Sequence, residues 1–250
     1  MKKSPLEDLE LEHLPEVIAQ RLDAPQKTQN ISDAVLGAID GCVTTFAIIA
    51  GAIGAGFSAS VALILGFANL FADGFSMAVS NYEANKAQQE FIESVRKTEA
   101  EHIQKIPKGE REEIRQIFQR KGFEGDVLEK IVNTITQNKN LWIDTMLLEE
   151  HGLQIQTQNP IKAALTTFGA FLLVGAIPLI PFFISAITIN QQFILSAIFA
   201  GMMFFMIGML KSMVFAKPIF LSGVQTLVTG GAAASLAFIT GYLLRTQFGI

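Results

Sequence analysis

Two aspartates stand out because of the apolar sequence around them. Asp40 and Asp73 lie in stretches that are otherwise long enough and apolar enough to cross a membrane, and residues 41–72 contain no charged side chain. A carboxylate at membrane depth costs about 2.5–3.5 kcal/mol on insertion scales, so it usually marks the path of an ion or a proton. The two aspartates therefore predict a cation pathway through the membrane.

A row of candidate ligands surrounds the second aspartate. Asn69, Asp73 and Met77 follow one another at intervals of four residues, which places them along one face of a helix, about 6 Å apart along its axis. An amide oxygen, a carboxylate and a thioether together suit a divalent metal of intermediate softness, such as Fe²⁺. A hydrogen bond to a neighbouring helix is the alternative for Asn69 and Asp73, and simple gap filling is the alternative for Met77. Thr44, one turn beyond Asp40, adds a hydroxyl oxygen.

A second group of candidate ligands lies in the polar segment 83–162. It consists of three pairs of residues, and the spacing of three or four residues places each pair on one helical face. These pairs are Glu99 and His102, Glu110 and Glu113, and Met146 and Glu150. Helical bundles bind two iron or manganese ions with glutamates and Glu-x-x-His pairs. A solvated acidic surface is the alternative for any single pair, and the sequence does not show that the pairs converge.

The elements that hold these residues are mostly membrane spans. Half of the 250 residues are hydrophobic, and apolar runs of at least ~18 residues predict transmembrane helices. The apolar regions are 34–81, which divides at 54–58, then 163–210, which divides near 185–192, and 218–244. The sequence therefore predicts an all-α membrane protein with five transmembrane helices. A small cytoplasmic helical metal-binding domain is expected between spans two and three.

The distribution of Lys and Arg predicts the orientation of the chain. Four of these residues precede the first span, twelve lie in 83–162, and the turns at 54–58 and 185–192 contain none. Lys211 and Lys217 lie between spans four and five. The N-terminus and the segment 83–162 are therefore expected in the cytoplasm and the C-terminus outside. The predicted division is a cytoplasmic tail (1–30), spans one and two (31–82), the metal-binding domain (83–162) and spans three to five (163–250).

Glycines and prolines predict how the spans pack. Gly37 and Gly41 flank the first aspartate as a G-x-x-x-G motif, which lets another helix approach closely and predicts a dimer contact at or near span one. Pro178 and Pro181 predict a kink or break near the outer end of span three. In the polar segment, span two is expected to continue as a helix to Pro107. Three shorter helices follow, at about 109–122, 127–135 and 141–151.

Four stretches of the sequence resemble the vacuolar iron transporter family. They are DGCVTTFAIIAGAIGAG (40–56), GFANLFADGFSMAVSNYEANKA (66–87), LWIDTMLLEEHGL (141–153) and GAIPLIPFF (175–183). The resemblance covers nearly the whole chain after residue 30, in the same order and with the same five-span plan. It implies export of Fe²⁺, and in some members Mn²⁺, from the cytosol in exchange for protons. It also implies a homodimer with the pathway between the two copies of span one and neighbouring span two, and a glutamate-rich cytoplasmic metal-binding domain.

The resemblance also assigns roles to individual residues. The pathway aspartate of the family falls on Asp40 and its pathway methionine on Met77, whereas a pathway glutamate of the plant members falls on Asn69. Asp73, one turn from Asn69, is expected to supply the missing carboxylate. The metal-binding positions of the cytoplasmic domain fall on Glu99, His102, Glu110, Glu113, Met146 and Glu150. His102 stands where plant members have glutamate, a change that slightly favours zinc.

The sequence and the resemblance together predict a proton-coupled antiporter that moves Fe²⁺ or Mn²⁺ out of the cytosol, for iron and manganese homeostasis and detoxification. The chain is not expected to be an enzyme. It lacks a G-x-x-x-x-G-K-[ST] nucleotide-binding motif, so an ion gradient is the expected driving force. The alternative is a membrane-anchored, ferritin-like protein that binds or oxidises iron, which predicts two Glu-x-x-His motifs in the segment 83–162, where one is present. A structural scaffold explains none of the carboxylates.

The same analysis predicts the partners and the location of the protein. No prosthetic group is expected, and Fe²⁺, Mn²⁺ or Zn²⁺ is expected as the substrate and bound ion. The expected partners are membrane lipid, divalent metal ions, protons and a second copy of the chain in a homodimer, with no nucleic acid. The expected location is the cell (inner) membrane of a prokaryote or the vacuolar membrane of a eukaryote.

Overall fold

The computed structural model describes residues 11–23, 28–155, 158–215 and 218–249. Within these ranges the chain forms helices and connecting turns and no β-strand. The helices are α1 (Pro15–Asp23), α2 (Thr28–Gly54), α3 (Ala59–Lys105), α4 (Pro107–Arg120), α5 (Gly125–Thr136), α6 (Lys139–Glu149), α7 (Pro160–Gly175), a 3₁₀ helix (Ile177–Phe183), α8 (Ile189–Phe215) and α9 (Ile219–Phe248). Lys217 and parts of the predicted tail and metal-binding domain lie outside the described residues.

Five helical segments are long and apolar enough to cross a membrane: α2, α3, α7 with the 3₁₀ helix, α8 and α9. This agrees with the five predicted spans. The first turn is short because α2 ends at Gly54 and α3 begins at Ala59, where the Ser58 hydroxyl accepts a hydrogen bond from the Val61 amide. The turn predicted near 185–192 is shorter than expected, since α8 already begins at Ile189.

The first span, α2, lies at the centre of the membrane part and packs against α3, α7, α8 and α9. Two glycines bring α2 and α7 into backbone contact. A β-carbon at Gly41 would lie 2.5 Å from the carbonyl oxygen of Phe171, and one at Gly37 would collide with the carbonyl oxygen of Thr167. The prediction that Gly37 and Gly41 mark a dimer contact is therefore wrong, because span three of the same chain occupies the space that these glycines leave.

A second pair of glycines joins α2 to the last span. A β-carbon at Gly54 would collide with the carbonyl oxygen of Phe238, and one at Gly241 would collide with that of Gly51. Small residues thus let α7 and α9 approach two different sides of α2, as expected for packing in lipid, where close contact replaces the hydrophobic driving force. These contacts hold α2, and with it Asp40, in a fixed position.

The predicted break in span three is confirmed. The α-helix α7 ends at Gly175, and the chain continues through Pro178 and Pro181 as a 3₁₀ helix. Proline removes a backbone donor and clashes with the preceding turn, which explains the change of helix type. The Ser196 hydroxyl donates a hydrogen bond of 2.7 Å to the carbonyl oxygen of Pro178, so α8 satisfies one of the carbonyl groups at the break.

The second span continues far beyond a membrane. The 47 residues of α3 are about 70 Å long at 1.5 Å per residue, more than twice the hydrocarbon thickness of a bilayer. The end of α3 packs with α4, α5 and α6 around a separate hydrophobic core. This core includes Ile92, Ile103, Ile114, Val132 and Leu147. The extension of α3 and the three short helices are called the helical module below.

The short helices of the module were predicted to within about two residues. The first begins at Pro107, because proline suits the first turn of a helix. The last begins at Lys139 and not at Leu141, because the Asn138 side chain accepts hydrogen bonds from the amides of Asn140 and Leu141. A salt bridge of 2.6 Å between Arg96 and Asp144 fixes α6 against α3.

Replacing Gly41 by alanine tests the backbone contact between α2 and α7. Gly41→Ala is expected to destabilise the protein by about 1–3 kcal/mol or more, because the new methyl group meets backbone atoms that cannot move aside. Gly169→Ala is the matched control, since a β-carbon at this α7 glycine meets no atom within 4 Å. Thermal unfolding of both variants in detergent measures the effect. A Gly41→Ala protein as stable as Gly169→Ala would contradict the close packing.

Candidate metal-binding sites

The structure brings the two membrane aspartates together. Asp40 on α2 and Asp73 on α3 are both half-buried, and their carboxylates are close enough to interact electrostatically. None of the ion pairs among the described residues involves either carboxylate. Two neighbouring negative charges without a cationic side chain form an environment that attracts protons or a metal ion.

The other predicted residues of the membrane site lie around these aspartates. Asn69 is partly buried, and its amide nitrogen, Nδ2, is buried without a hydrogen-bond partner. Met77 is half-buried at the edge of a core cluster between α3 and α7. The Thr44 hydroxyl donates to the carbonyl oxygen of Asp40 at 2.8 Å, so its proton is used within α2 while its oxygen remains an acceptor. The structure therefore places all five predicted residues on α2 and α3.

A third membrane-proximal aspartate, Asp33, was missed in the sequence. Its carboxylate accepts hydrogen bonds from Asn81 Nδ2 at 3.0 Å and from Gln158 Nε2 at 2.5 Å. Asn81 also donates to the Thr167 hydroxyl at 2.7 Å, so this network ties α2, α3, α7 and the segment before α7 together. The four-residue series of Asn69, Asp73 and Met77 continues to Asn81. Extending the series by one step would have identified Asn81, which is the partner of Asp33.

Six polar residues of the module form a second site, which we call the Glu–His cluster. It contains Glu99, His102, Glu110, Glu113, Glu150 and His151. His102 Nδ1 lies 3.5 Å from Glu110 Oε1, and His151 Nε2 lies 3.1 Å from Glu99 Oε1 and 3.7 Å from Glu150 Oε2. Five of the six residues predicted for this domain therefore converge, from the end of α3, from α4 and from the end of α6.

Two glutamates at the centre of the cluster are almost completely removed from solvent. Glu99 is 3% exposed and Glu110 is 1% exposed, and the Oε2 atom of each has no hydrogen-bond partner within the described part of the chain. Burial, followed by the negative charges of Glu113, Glu99 and Glu150 and a hydrogen bond with Glu99, raises the pKa of Glu110 to about 7. Burial, followed by the charges of Glu150 and Glu99, also raises the pKa of Glu113.

Met146, the sixth residue predicted for the module, is fully buried in the hydrophobic core of the module. Its thioether packs among apolar side chains such as Ile143 and Leu147. This burial is typical of a methionine that fills a core. Its role as a soft metal ligand stays a prediction.

His151 is the residue of the cluster that sequence reasoning missed. It follows directly after Glu150, which was predicted, but leucines stand three and four residues before it, so no helical spacing linked it to the other ligands. The chain contains only three histidines. A histidine next to a predicted carboxylate ligand was a usable indication, because imidazole is a common ligand of first-row transition metals.

The cluster has the chemistry of a divalent-metal site. Two groups of three residues, Glu99 with Glu150 and His151 and Glu99 with His102 and Glu110, each present ligand atoms within 4.8 Å of one another. Ligands at about 2.0–2.2 Å from a metal ion are roughly 3.0–4.4 Å apart, so small side-chain movements suffice to close either group on an ion. The buried oxygens without donors are the acceptors that such an ion would satisfy.

The fold and these two sites define the class of the protein. It is an integral membrane protein with five candidate spans. Acidic side chains are grouped at membrane depth, around Asp40 and Asp73, and again in a helical module that extends from the second span. This combination is typical of membrane proteins that handle a metal cation.

Comparisons with known proteins identify the family. The VIT family matches residues 31–242. A vacuolar iron transporter of Toxoplasma gondii is 30% identical over 228 residues, which cover 88% of this chain and 76% of that relative. The vacuolar iron transporter 1 of Oryza sativa subsp. japonica is 30% identical over 219 residues, covering 87% of this chain and 86% of the relative. That of Arabidopsis thaliana is 28% identical over 209 residues, 83% of each chain. This chain belongs to the VIT family.

Replacing Glu110 by glutamine tests the electrostatics of the metal-free cluster. The folded protein raises the pKa of Glu110 from 4.5 to about 7, so the folded state binds a proton more tightly than the unfolded state. Stability therefore decreases as the pH rises from about 4.5 to 7. Glu110→Gln removes this cost and should stabilise the protein by roughly 1–3 kcal/mol at pH 8, with little effect at pH 4.5.

Thermal unfolding in the presence of a chelator measures this difference. Glu93→Gln, at an exposed position of α3, is the control and should show the same pH dependence as the native protein. An equal effect of Glu110→Gln at pH 4.5 and pH 8 would contradict the raised pKa.

Proposed function

We propose that this protein transports Fe²⁺ out of the cytosol in exchange for protons, and that Mn²⁺ is a second substrate. The observation that carries the proposal is the pair of half-buried carboxylates, Asp40 and Asp73, which interact with each other and form no ion pair with any described residue. A structural role does not explain two such charges within membrane spans. The names of the relatives, all vacuolar iron transporters, support iron as the substrate.

In this proposal the substrate ion passes between α2 and α3. Asp40 and Asp73 supply carboxylate oxygens, Asn69 an amide oxygen, Met77 a thioether and Thr44 a hydroxyl oxygen. This mixture of hard and soft ligands suits Fe²⁺ better than Ca²⁺ or Mg²⁺, which prefer oxygen ligands alone.

Proton exchange follows from the charge of the substrate. Moving one divalent ion against the membrane potential costs about 2.3 kcal/mol per charge per 100 mV, so export from a negative cytosol needs a coupled inward flow. Asp40 and Asp73 are the carboxylates that the described part of α2 and α3 offers at mid-span for taking up protons when the metal leaves. The protein therefore acts as an antiporter, with protons and the metal ion alternating at the same carboxylates.

The proposal includes a second copy of the chain. Asp40 and Asp73 are only half-buried in the single chain, and lipid contact with a carboxylate is unfavourable. The α3 surface next to Asp73 carries the exposed side chains Phe71 and Phe75, which suit a contact with another apolar helix. A homodimer that covers this surface encloses the pathway. The contact does not depend on Gly37 and Gly41, because these glycines pack against α7 of the same chain.

The helical module is proposed to lie in the cytoplasm and to collect the metal there. Its Glu–His cluster combines buried carboxylates without donors and imidazole nitrogens, which bind divalent metals well. The proposal also keeps the division of the chain that the sequence predicts: a tail, two spans, a metal-binding domain and three spans. The ferritin-like alternative is not favoured, because the relatives are named as transporters.

Transport into liposomes tests the role of the membrane carboxylates. With the membrane potential clamped, the native protein should move Fe²⁺ faster when the side that receives the metal is more acidic, and protons should appear on the opposite side. Asp40→Asn should reduce this transport to the level of protein-free liposomes. Asp126→Asn, at an exposed position of α5, is the control and should keep native rates. Transport that ignores the pH gradient would indicate a channel or uniporter, and full activity of Asp40→Asn would remove that residue from the pathway.

Cysteine labelling tests the proposed orientation. In a Cys42→Ala background, Ser185→Cys places a thiol in the exposed turn before α8, and Lys130→Cys places one on the exposed surface of α5. A membrane-impermeant maleimide added to intact cells should label position 185 only, because the basic residues of the module are retained in the cytoplasm. Permeabilised cells, in which both positions should react, provide the control. Labelling of position 130 in intact cells would reverse the proposed orientation.

A further inference from the structure

His151 is held in place by the end of helix α6. Its backbone amide and that of Glu150 both donate to the carbonyl oxygen of Met146, at 3.2 and 3.0 Å, and Gly152 follows with φ of 65°. This left-handed residue ends the helix and turns the chain away, while the amide of Leu153 bonds back to Leu147. The turn therefore fixes the backbone of His151 beside the core of the module.

From this position the imidazole reaches the buried glutamate of α3. His151 Nε2 lies 3.1 Å from Glu99 Oε1 and 3.7 Å from Glu150 Oε2. Neighbouring ligands of one ion, each at about 2.1 Å from it, are roughly 3.0–3.4 Å apart. The contact with Glu99 lies in this range, the contact with Glu150 is slightly longer, and the three ligand atoms lie within 4.8 Å of one another. The His151 side chain is 35% exposed, which leaves an open side for a metal ion to enter.

Glu99 belongs to both groups of candidate ligands. On one side it faces His151 and Glu150, and on the other it faces His102 and Glu110. Its Oε2 atom is buried and has no hydrogen-bond donor among the described residues. The Oε2 atom of Glu110 is in the same situation. A carboxylate has acceptor sites on both oxygens, so Glu99 is able to bind one ion through each oxygen.

We propose that His151 is a metal ligand and that Glu99, Glu150 and His151 form a metal position of their own, next to the position formed by Glu99, His102 and Glu110. Glu99 bridges the two ions, which in carboxylate-bridged sites are about 3.5–4 Å apart. Each position then has one imidazole and two carboxylates. This inference rests on the proposed function of the cluster as a metal site and adds a residue to it.

The imidazole ligands determine the class of metal. Carboxylates alone accept Ca²⁺, Mg²⁺ and Mn²⁺, whereas one nitrogen ligand in each position favours Fe²⁺, Co²⁺ and Zn²⁺. The competing explanation is that His151 serves only as a hydrogen-bonding or ion-pairing partner of Glu99. That explanation accounts for Glu99 Oε1 but leaves Oε2 of Glu99 and Oε2 of Glu110 with no partner other than a proton shared between the two carboxyl groups.

Zinc binding by the full chain in detergent tests the inference. The bound Zn²⁺ is counted by equilibrium dialysis and elemental analysis at a free concentration that saturates the native protein, and X-ray absorption counts the imidazoles per zinc. His151→Gln should lose one equivalent of Zn²⁺, or bind it at least about ten-fold more weakly, and should lower the histidine count. Glutamine still donates a hydrogen bond to Glu99, so this variant separates a ligand from a structural partner. His151→Ala gives the same comparison without that hydrogen bond.

The controls separate failure of this inference from failure of the proposed site. The His102→Gln protein should also bind one equivalent of Zn²⁺ fewer than the native protein. The His13→Gln protein should bind the native amount, because His13 lies outside both groups of ligands. Native stoichiometry and native histidine count in both His151 variants would overturn the inference while the position around His102 stands. If none of the His151, His102 and Glu110 variants changes zinc binding, the cluster is not a metal site, and both this inference and the proposed role of the module fail.

Discussion

The first span packs against its neighbours through glycines on two sides, and the rest of the membrane part depends on this contact. Gly37 and Gly41 allow the backbone of α7 to touch α2, and Gly54 allows the same approach by α9. Such contacts leave no space for adjustment, because backbone atoms on both sides are fixed by helical hydrogen bonds. Asp40 lies between the two glycines that face α7, so its position relative to α3 and Asp73 is determined by packing and not by any polar interaction of its own.

Two aspartates of the same helix differ in whether neighbouring side chains satisfy their carboxylates. Asp33 accepts hydrogen bonds from Asn81 and Gln158, and these amides satisfy it without a metal. Asp40, seven residues and about 10 Å further along the axis, faces another carboxylate and forms no ion pair in the described structure. The Glu–His cluster repeats the second pattern, since Glu99 and Glu110 are buried with an oxygen free of donors. The site in the membrane spans and the Glu–His cluster therefore share acidic groups that the described side chains do not satisfy. A bound cation would explain both.

Much of this architecture was predictable because it depends on local sequence patterns. Apolar length predicted five spans, helix spacing predicted the faces of α3 and α4, and the two prolines predicted the break after Gly175. The predictions that failed concern contacts that are decided by tertiary packing. A G-x-x-x-G motif predicts a close helix contact but not which helix makes it, and the partner proved to be α7. The approach of His151 to Glu99 depends on a turn at Gly152 and on the packing of α6 against α3, neither of which leaves a periodic pattern in the sequence.

The two sites are parts of one continuous helix. Asp73 and Glu99 both belong to α3, 26 positions apart, which corresponds to about 39 Å along the axis. Backbone hydrogen bonds run through this helix without a break, so its two ends keep a fixed distance and orientation. The module is tied back to the spans a second time, because Gln158, which follows it, bonds to Asp33 of α2 and receives a hydrogen bond from Gln89 of α3. Under the proposed function, a metal ion held by the Glu–His cluster would join α4 and the end of α6 to the same helix, α3, that carries Asp73.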